Sequence, residues 1–355
     1  MNKTIPHFIL VGFMLLFISS AGKTCTTFCI KDPENLIFGR NLDFSTGFGH
    51  VIVNKRNMTK TAFIQSPEKP VKWTAKYGSV SFNQIGREFP YGGINEKGLV
   101  IEQMWLDETV YPEIDHRSGL SELQWIQYQL DNSATVHDVI ASDTIVRISK
   151  LSTAPLHFLI CDQYGNMATI EYLKGEMIYH TSTTLPLTVL ANDSYEKSTD
   201  YVKSFSDFGG TETLSNTSGS LDRFAKAASM IKKYKSQHVI DFSFDILNDV
   251  SQGDATQWSI VYDIKNLTVY YKTLQNKSVR KFDLNGFDFS CQSPSLYVDM
   301  AENMINEKLD FKVCSYQSNR ELIDNVFNNV SFLQSIPASA REFSARYPDT
   351  TKCHD

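Results

Sequence analysis

Cys25 carries a thiol at a position where an export signal would end. An apolar run from Phe8 to Ile18 is followed by small residues and then, shortly afterwards, by Cys25. Loss of residues 1–24 would give Cys25 a free α-amine beside its thiol. A thiol is a nucleophile, and an α-amine, whose pKa is about 7.7–8.0, is a suitable general base near neutral pH. This pair of groups favours nucleophilic attack on an amide and requires no histidine.

Residues 1–24 have the pattern of a secretory signal peptide followed by a short pro-segment. The apolar run of about eleven residues suits export and is too short to cross a bilayer comfortably. The mature protein is therefore predicted to be secreted or periplasmic, without a membrane anchor. A signal peptidase cut after Ala21 or Gly22 would leave a few residues before Cys25, so a second cleavage must remove them. An uncleaved anchor and a lipid-modified Cys25 are the alternatives.

Four further polar residues lie in motifs that could complete a site around Cys25. Arg40 and Asp43 belong to one Gly-Arg-Asn-Leu-Asp run, Asn192 follows a short apolar segment, and Arg223 lies in a Ser-Leu-Asp-Arg-Phe run. Residues three apart on a regular strand point to opposite faces. Arg40 and Asp43 can therefore share one site only if the strand ends or twists between them, which Gly39 could allow.

The composition excludes several other classes of protein. A net charge of −6 without a basic run argues against nucleic-acid binding, and no glycine-rich nucleotide-binding loop is present. The eight histidines are scattered, and none is paired with another at zinc-binding spacing. We therefore predict no nucleic-acid partner, no metal and no cofactor. The 42% hydrophobic content is sufficient for a large core.

The chain has six cysteines, an even number that would usually indicate three disulfide bonds in an exported protein. If Cys25 must stay reduced, at least one other cysteine must also be free. A bond among Cys291, Cys314 and Cys353 is compatible with the sequence, and its connectivity is open.

Strands and helices are predicted in blocks rather than in alternation. Period-two patterns predict strands at Cys25–Ile30, Leu36–Asp43, His50–Asn54, Val80–Asn83, Gly98–Trp105, His157–Cys161, Met167–Tyr172, Thr188–Ala191, Gln257–Asp263 and Leu267–Lys272. Helical spacing predicts helices over Leu120–Leu130, near Thr135 with a capping box to Asp138, from Ser220 as N-cap, and near Val239–Val250. This order is typical of an antiparallel α+β fold. We predict a single domain over 25–355, with a helical extension from about residue 293.

The motifs, taken in order, resemble one family. They are the Cys-Thr pair at Cys25, the Gly-Arg-Asn-Leu-Asp run ending at Asp43, the Asn-Glu-Lys-Gly-Leu run ending at Leu99, and the runs containing Asn192 and Arg223. The chain resembles the cysteine N-terminal-nucleophile hydrolases of the choloylglycine hydrolase and penicillin V acylase family, which cleave linear amides. The resemblance covers residues 25 to about 273. It implies a four-layer αββα sandwich of two antiparallel sheets, no cofactor, and a homo-oligomer, a tetramer.

The same resemblance assigns catalytic roles to the five polar residues. Cys25 is the expected nucleophile, with its own α-amine as the base. Arg40 is expected to lower the thiol pKa, and Asp43 to accept a hydrogen bond from the α-amine. Asn192 is the expected oxyanion donor, and Arg223 a second cation near Cys25. Asn192 also lies in an Asn-Asp-Ser glycosylation sequon, and a glycan there would block this role.

Two aromatic residues are expected to bind substrate. Relative to the bile-salt-hydrolysing members, Trp105 stands where an oxyanion asparagine is found, and an indole has one donor and no acceptor. Either the oxyanion relies on Asn192 and a backbone N–H, or Trp105 is an apolar wall. Phe44, next to Asp43, is the expected opposite wall. Such a pair would select flat or fatty acyl groups.

The expected reaction is hydrolysis of an N-acyl amide through a thioester on Cys25. Penicillin V and acyl-homoserine lactones are the first candidate substrates, and conjugated bile salts are the second. Acid ceramidases and N-acylethanolamine amidases share the Cys-Thr and Gly-Arg-Asn-x-Asp patterns but have a long propeptide. A different class of function, an inactive secreted protein that binds acylated small molecules, is the remaining alternative.

Overall fold

The computed structural model describes residues 25–64, 66–235, 238–302 and 308–354. The predicted signal peptide and pro-segment, residues 1–24, lie outside the described residues. The first ten strands are β1 (Cys25–Lys31), β2 (Leu36–Asp43), β3 (His50–Asn54), β4 (Met58–Thr61), β5 (Lys72–Thr74), β6 (Ser79–Asn83), β7 (Pro90–Asn95), β8 (Val100–Trp105), β9 (Ser118–Leu120) and β10 (Val146–Ile148).

The later strands are β11 (Leu156–Cys161), β12 (Met167–Leu173), β13 (Glu176–Thr181), β14 (Val189–Leu190), β15 (Thr256–Asp263), β16 (Thr268–Thr273), β17 (Arg280–Asp283), β18 (Leu296–Asp299), β19 (Lys312–Val313) and β20 (Lys352–Cys353). The helices are α1 (Glu122–Asn132), α2 (Val136–Ser142), α3 (Tyr195–Val202), α4 (Ser220–Lys232), α5 (Val239–Asp249), α6 (Tyr316–Asn329) and α7 (Ala338–Arg346). Short 3-10 helices occur at Ser182–Thr184, Ser206–Phe208, Gly253–Ala255, Leu284–Gly286 and Tyr347–Thr350.

Two antiparallel sheets form the centre of the fold. The smaller sheet has six strands in the order β14-β1-β2-β15-β16-β17, and the larger has nine in the order β13-β12-β11-β8-β7-β6-β3-β18-β19. Helix α1 packs on β7 and β8, whereas α4 and α5 pack on β1, β2 and β15. The two sheets face each other through one apolar core, in which Phe82 of β6 meets Tyr262 of β15 edge to face. The predicted α+β sandwich of antiparallel sheets is confirmed.

Burial on both faces explains why the central strands read as nearly continuous apolar runs. Every residue of β2 and of β8 up to Met104 is buried, because a helix covers one side of each sheet and the other sheet covers the opposite side. The ten predicted strands all occur, although Thr188–Ala191 shortens to Val189–Leu190. The predicted capping box between Thr135 and Asp138 is present at the start of α2.

One predicted cap is wrong. Helix α4 begins at Ser220, but its N-cap is Gly219, and no side chain caps it. The Ser220 hydroxyl instead accepts the backbone N–H of Asn192, at 2.8 Å. Ser220 therefore connects α4 to a site residue instead of ending the helix.

Arg40 and Asp43, near the end of β2, contact different layers of the fold: Arg40 pairs with Glu102 of the facing sheet, whereas Asp43 lies 3.9 Å from Arg223 of α4. Thr256 pairs with Asp43, and Trp258 pairs with Leu42, so the register of β15 shifts by one residue at this point. Such a bulge increases the local twist and re-aims side chains. Gly39 has another role than the predicted one, because a Cβ there would overlap the Phe28 ring, so the glycine permits close packing.

The C-terminal region is anchored to the sheets before its helices begin. Leu296–Asp299 forms a strand beside β3, and among the described residues that follow it the first α-helix begins at Tyr316. A disulfide joins Cys291 to Cys353, and β20 pairs with β4. Among the described residues the free cysteines are Cys25, Cys29, Cys161 and Cys314. The requirement that a second thiol stay reduced is therefore met.

Candidate active site

Cys25 is the first residue of β1, and the pairing of β1 on both edges fixes its position. It lies opposite Leu42 of β2, and two residues later Thr27 lies opposite Leu190 of β14. The backbone N–H of Cys25 donates to Oδ1 of Asn192 at 2.7 Å. While residues 1–24 are attached this nitrogen is an amide, and their removal would make it the α-amine. The residue is 5% exposed.

Arg223 binds both Cys25 and Asn192 through its guanidinium group. From α4 its Nη1 donates to the Cys25 carbonyl at 2.7 Å and to the Thr26 hydroxyl, while Nη2 donates to Asn192 Oδ1 at 2.8 Å. Its Nε donates to the carbonyl of Ser218 at 3.2 Å, in the loop before the helix. The fork of the guanidinium is thus used on both sides, which a single ammonium group could not do.

Asp43 lies in the same cluster at the end of β2. Its carboxylate is fully buried, Oδ1 accepts a hydrogen bond from the Thr256 hydroxyl, and Oδ2 is 3.9 Å from Nη1 of Arg223. The Cys25 N–H is accepted by Asn192, and the bond predicted from the α-amine to Asp43 stays a prediction. Asp43 is the last residue of β2 and pairs with Thr256, next to the register shift in β15.

Arg40 is held by the facing sheet. Its Nη1 lies 2.8 Å from Oε2 of Glu102 on β8, and both side chains are fully buried. The hydroxyl of Tyr262 donates to Glu102, and burial raises the pKa of Glu102 to about 7 against the opposing effects of Arg40 and Tyr262. Burial alone would lower the pKa of Arg40, but Glu102 and the Cys25 thiol raise it above its ordinary value. Arg40 therefore stays charged beside the thiol.

Burial and charge act in opposite directions on the Cys25 thiol. Burial raises its pKa above the ordinary value, and the guanidinium of Arg40 is the largest opposing effect. The Asp43 carboxylate raises the thiol pKa, its backbone N–H lowers it, and Arg223 lowers it further. Arg40 thus acts in the predicted direction, but burial outweighs it. Removal of residues 1–24 would add a cationic ammonium group to Cys25 itself, which favours the thiolate.

Trp105 and Phe44, the two predicted substrate-binding residues, are both adjacent to residues of this cluster. The carbonyl of Trp105 accepts a hydrogen bond from Nδ2 of Asn192 at 2.8 Å, and the indole N–H donates to Asp107 at 2.6 Å. The single donor of the indole is therefore already used. Phe44 follows Asp43 and meets Tyr91 edge to face at 6.3 Å. Burial raises the pKa of the Tyr91 hydroxyl, with smaller effects of Arg40 and Cys25 that place it near the thiol.

A buried His–Glu pair supports the segment that carries Asn192. One ring nitrogen of His157 lies 2.8 Å from the Ala191 carbonyl, and the other lies 3.1 Å from Glu171 Oε1. The same Glu171 oxygen accepts the backbone N–H of Tyr195 at 2.9 Å. Both sides of Asn192 are therefore tied to strands β11 and β12 of the larger sheet.

Two further properties concern only the residues that the structure describes. No group of three or more His, Cys, Asp or Glu side chains among them is arranged to hold a metal ion. None of the helices described is long and apolar enough to cross a membrane.

Residues 25–297 match the family of linear amide C–N hydrolases named after choloylglycine hydrolase. The chain belongs to this family. It is therefore a hydrolase that acts on carbon–nitrogen bonds of linear amides, as the motifs predicted. The matched range contains Cys25, Arg40, Asp43, Asn192 and Arg223.

Individual proteins are similar to this chain in sequence or in structure. The penicillin V acylase of Pectobacterium atrosepticum is 25% identical over 319 residues, which cover 77% of this chain and 84% of that protein. The structure of penicillin V acylase from Agrobacterium tumefaciens superimposes with a TM-score of 0.70 and 27% identity, covering 82% of this chain and 98% of the other. A conjugated bile acid hydrolase from Clostridium perfringens shares the fold, with a TM-score of 0.65, 20% identity and coverage of 82% and 100%.

The five predicted catalytic residues are brought together, but their supporting residues were missed. Glu102 stands in the otherwise apolar and amide-containing segment from Val100 to Trp105, and a carboxylate in a fully buried strand requires a partner. That signal was present in the sequence. His157 and Glu171 carry the same signal in β11 and β12.

Proposed function

We propose that removal of residues 1–24 converts this family member into an acylase whose nucleophile is Cys25. The α-amine takes the thiol proton, the sulfur attacks the carbonyl carbon of an N-acyl amide, and a tetrahedral oxyanion forms. Collapse of this intermediate breaks the C–N bond, releases the protonated amine and leaves a thioester. The α-amine of Cys25 then deprotonates a water molecule, which hydrolyses the thioester to the acid and frees the thiol.

The arrangement around Cys25 carries this proposal. Its nitrogen already lies 2.7 Å from Asn192, and Arg223 fixes both its carbonyl and the Asn192 amide. Two guanidinium groups, those of Arg40 and Arg223, lower the pKa of the Cys25 thiol and so offset part of the larger effect of burial, which raises it. These are the requirements for a base and a nucleophile that belong to one residue.

Asn192 supports the oxyanion as well as the amine. Its oxygen accepts from Cys25 and Arg223, so the orientation of the amide is fixed, and one of its two N–H groups donates to Trp105. The second N–H is the donor that we assign to the oxyanion. Because the indole N–H of Trp105 donates to Asp107, we assign the Trp105 ring to the substrate wall.

We propose penicillin V and related amides with a flat acyl group as the first substrates, followed by acyl-homoserine lactones. The aromatic residues Phe44 and Tyr91 near the thiol suit such an acyl group, since aromatic pairs stack edge to face. Two of the similar proteins are penicillin V acylases. The resemblance to the bile acid hydrolase is weaker, and conjugated bile salts are the second choice.

The test combines intact mass with hydrolysis by three variants. The secreted protein should have Cys25 as its first residue and should hydrolyse penicillin V, acyl-homoserine lactones or conjugated bile salts. Cys25→Ala and Cys25→Ser should lower turnover by at least about 10³-fold, since the nucleophile is lost or weakened. Cys314→Ala, which removes a free thiol outside the cluster, is the matched control and should retain activity. An active protein that begins at another residue would contradict the proposal.

A binding protein without activity is the second candidate, and one observation favours it. Burial raises the pKa of the Cys25 thiol, which makes it less reactive. Iodoacetamide separates the two candidates on the mature protein. Rapid labelling at Cys25 near neutral pH supports the enzyme, whereas absent labelling together with tight binding of an N-acyl amide supports the binding protein.

A further inference from the structure

The C-terminal extension lies outside the residues that match the family, yet it reaches the site. The family match ends at residue 297, and α6 and α7 follow it. These helices form a small core of their own with Leu322, Ile323, Val326, Phe327, Val330 and Ala345. Phe44, the residue after Asp43, packs against this second core as well as against the main one. The extension therefore contacts the site through Phe44.

Two hydrogen bonds and a disulfide fix the extension to the body of the protein. The side-chain oxygen of Asn319 accepts the N–H of Arg87 at 2.7 Å, and the hydroxyl of Tyr347 donates to the Thr61 carbonyl at 2.7 Å. The disulfide from Cys353 to Cys291 holds the end of the chain. The connection between α6 and α7 is thus delivered to a defined place.

That connection places Phe332 on the ring of Phe44. The two rings meet edge to face, with their centroids 6.4 Å apart and their planes at 86°. Tyr91 meets the same ring at 6.3 Å and 85°. Phe44 therefore has one aromatic neighbour from the sheet, near the thiol, and another from the extension. Phe332 is 39% exposed, so part of its ring faces outwards from this row.

We propose that Phe332 is a specificity-determining residue, which extends the acyl-binding wall of Phe44 and Tyr91 beyond the family's shared fold. This inference rests on the proposed amide hydrolysis. The wall of Phe44, Tyr91 and Phe332 fits an acyl group that carries an aromatic ring two or three bonds from the carbonyl and extends beyond Phe44. A short acyl group would end before reaching Phe332.

The first experiment compares two amides of the same amine, one N-phenoxyacetyl and one N-acetyl. Phe332→Ala should raise KM for the phenoxyacetyl amide by roughly two- to twelvefold, the value of one aromatic contact, and leave kcat and the acetyl amide unchanged. Phe332→Leu keeps apolar volume without the ring and should behave similarly if the alanine variant folds poorly. Phe343→Ala is the matched control, because Phe343 belongs to the same extension, is more exposed and stacks on Phe63 instead. Equal changes for both amides, or none, would overturn the proposal.

A second experiment does not depend on turnover. N-methylmaleimide and N-benzylmaleimide add to the Cys25 thiol, and peptide mapping separates this site from the other free thiols. The benzyl-to-methyl rate ratio should fall in Phe332→Ala by the same factor as above and stay constant in Phe343→Ala. A changed benzyl-to-methyl ratio without any amide hydrolysis would support the role of Phe332 and refute the proposed function. Amide hydrolysis with an unchanged ratio and unchanged selectivity would support the proposed function and refute the role of Phe332.

Discussion

Replacing Asn192 with aspartate would test whether the Cys25 nitrogen is the catalytic base. Asn192→Asp preserves the shape of the side chain and the acceptor for Cys25 N, which lies 2.7 Å from Oδ1. It adds a negative charge at that distance and removes the N–H groups of the amide. If the mature nitrogen cycles between amine and ammonium, the new carboxylate must stabilise the ammonium form and raise its pKa.

The size of the effect follows from the distance. Two unit charges 2.7 Å apart interact by roughly 6 kcal/mol at an effective dielectric constant of about 20. Arg223 lies 2.8 Å from the same oxygen and offsets part of this energy. We therefore expect a shift of about 1–3 pH units, the usual range for one opposite charge in contact. Loss of the oxyanion donor would separately lower the plateau by about 10²–10³-fold.

The assay is the pH profile of kcat/KM for the substrate that the wild-type protein hydrolyses best. The acid limb should move to higher pH in Asn192→Asp, while Asn266→Asp, which adds the same charge in an exposed turn, should leave it in place. Intact mass must show Cys25 as the first residue of each protein. If the variant is not processed, expression from a Met-Cys25 start supplies the mature terminus. An unmoved acid limb in a correctly processed variant would refute the role of the α-amine.

Three further predictions concern residues around and beyond the site. Arg223→Lys keeps the charge but cannot hold both the Cys25 carbonyl and Asn192, so kcat/KM should fall by about 10²-fold, and a change below twofold would contradict the role given to the fork. The ring of His157 contacts both the Ala191 carbonyl and Glu171, and His157→Gln should lose one of these two contacts. We expect kcat to fall at every pH, while the rate of iodoacetamide labelling at Cys25 stays the same. An equal loss of labelling would indicate general unfolding instead. Burial lowers the pKa of His50 from 6.5 to about 4, against a smaller opposing effect of Glu321. Between pH 6.5 and 4 the unfolded chain therefore binds a proton at His50 that the folded protein does not bind. The free energy of unfolding should fall by about 3 kcal/mol as the pH drops from 6.5 to 4. Urea denaturation of His50→Gln should lack this loss, and the same dependence of the free energy of unfolding on pH in both proteins would contradict the role given to His50.

Local patterns were sufficient for ten of the strands, and the order of the short motifs was sufficient to select the candidate catalytic residues. The central strands stand out as apolar runs, and Arg40 and Asp43 lie within one such run. Short strands such as β9 and β10 have three residues each and were not predicted. The partners of Arg40 and Asp43 lie far away in sequence and in different layers, since Arg40 meets Glu102 of β8 and Asp43 meets Arg223 of α4. No local pattern specifies these partners, and the sequence supplied only the condition that the strand should end or twist between the two residues.

Partners across the two sheets could not be assigned from the sequence. The carboxylate of Glu102 meets Arg40 because β8 and β2 face each other, and this facing is a property of the assembled sandwich. The acceptor role of the Asn192 oxygen likewise depends on the orientation of its amide group, which is fixed by the hydrogen bond from Arg223 of α4. Phe332 was missed for the same reason, since its contact with Phe44 requires two elements distant in sequence to meet.

The contacts around Cys25 are formed in the full-length chain, and this bears on the proposed cleavage before Cys25. Pairing of β1 with β2 and β14 holds Cys25 by its backbone, and Arg223 fixes its carbonyl. Cleavage would then change the chemistry of one nitrogen without moving the groups that serve it. A site whose dipoles are oriented beforehand has no reorganisation cost during the reaction. In the proposed mechanism, His157 and Ser220 would therefore contribute to activity by holding the segment around Asn192 in place.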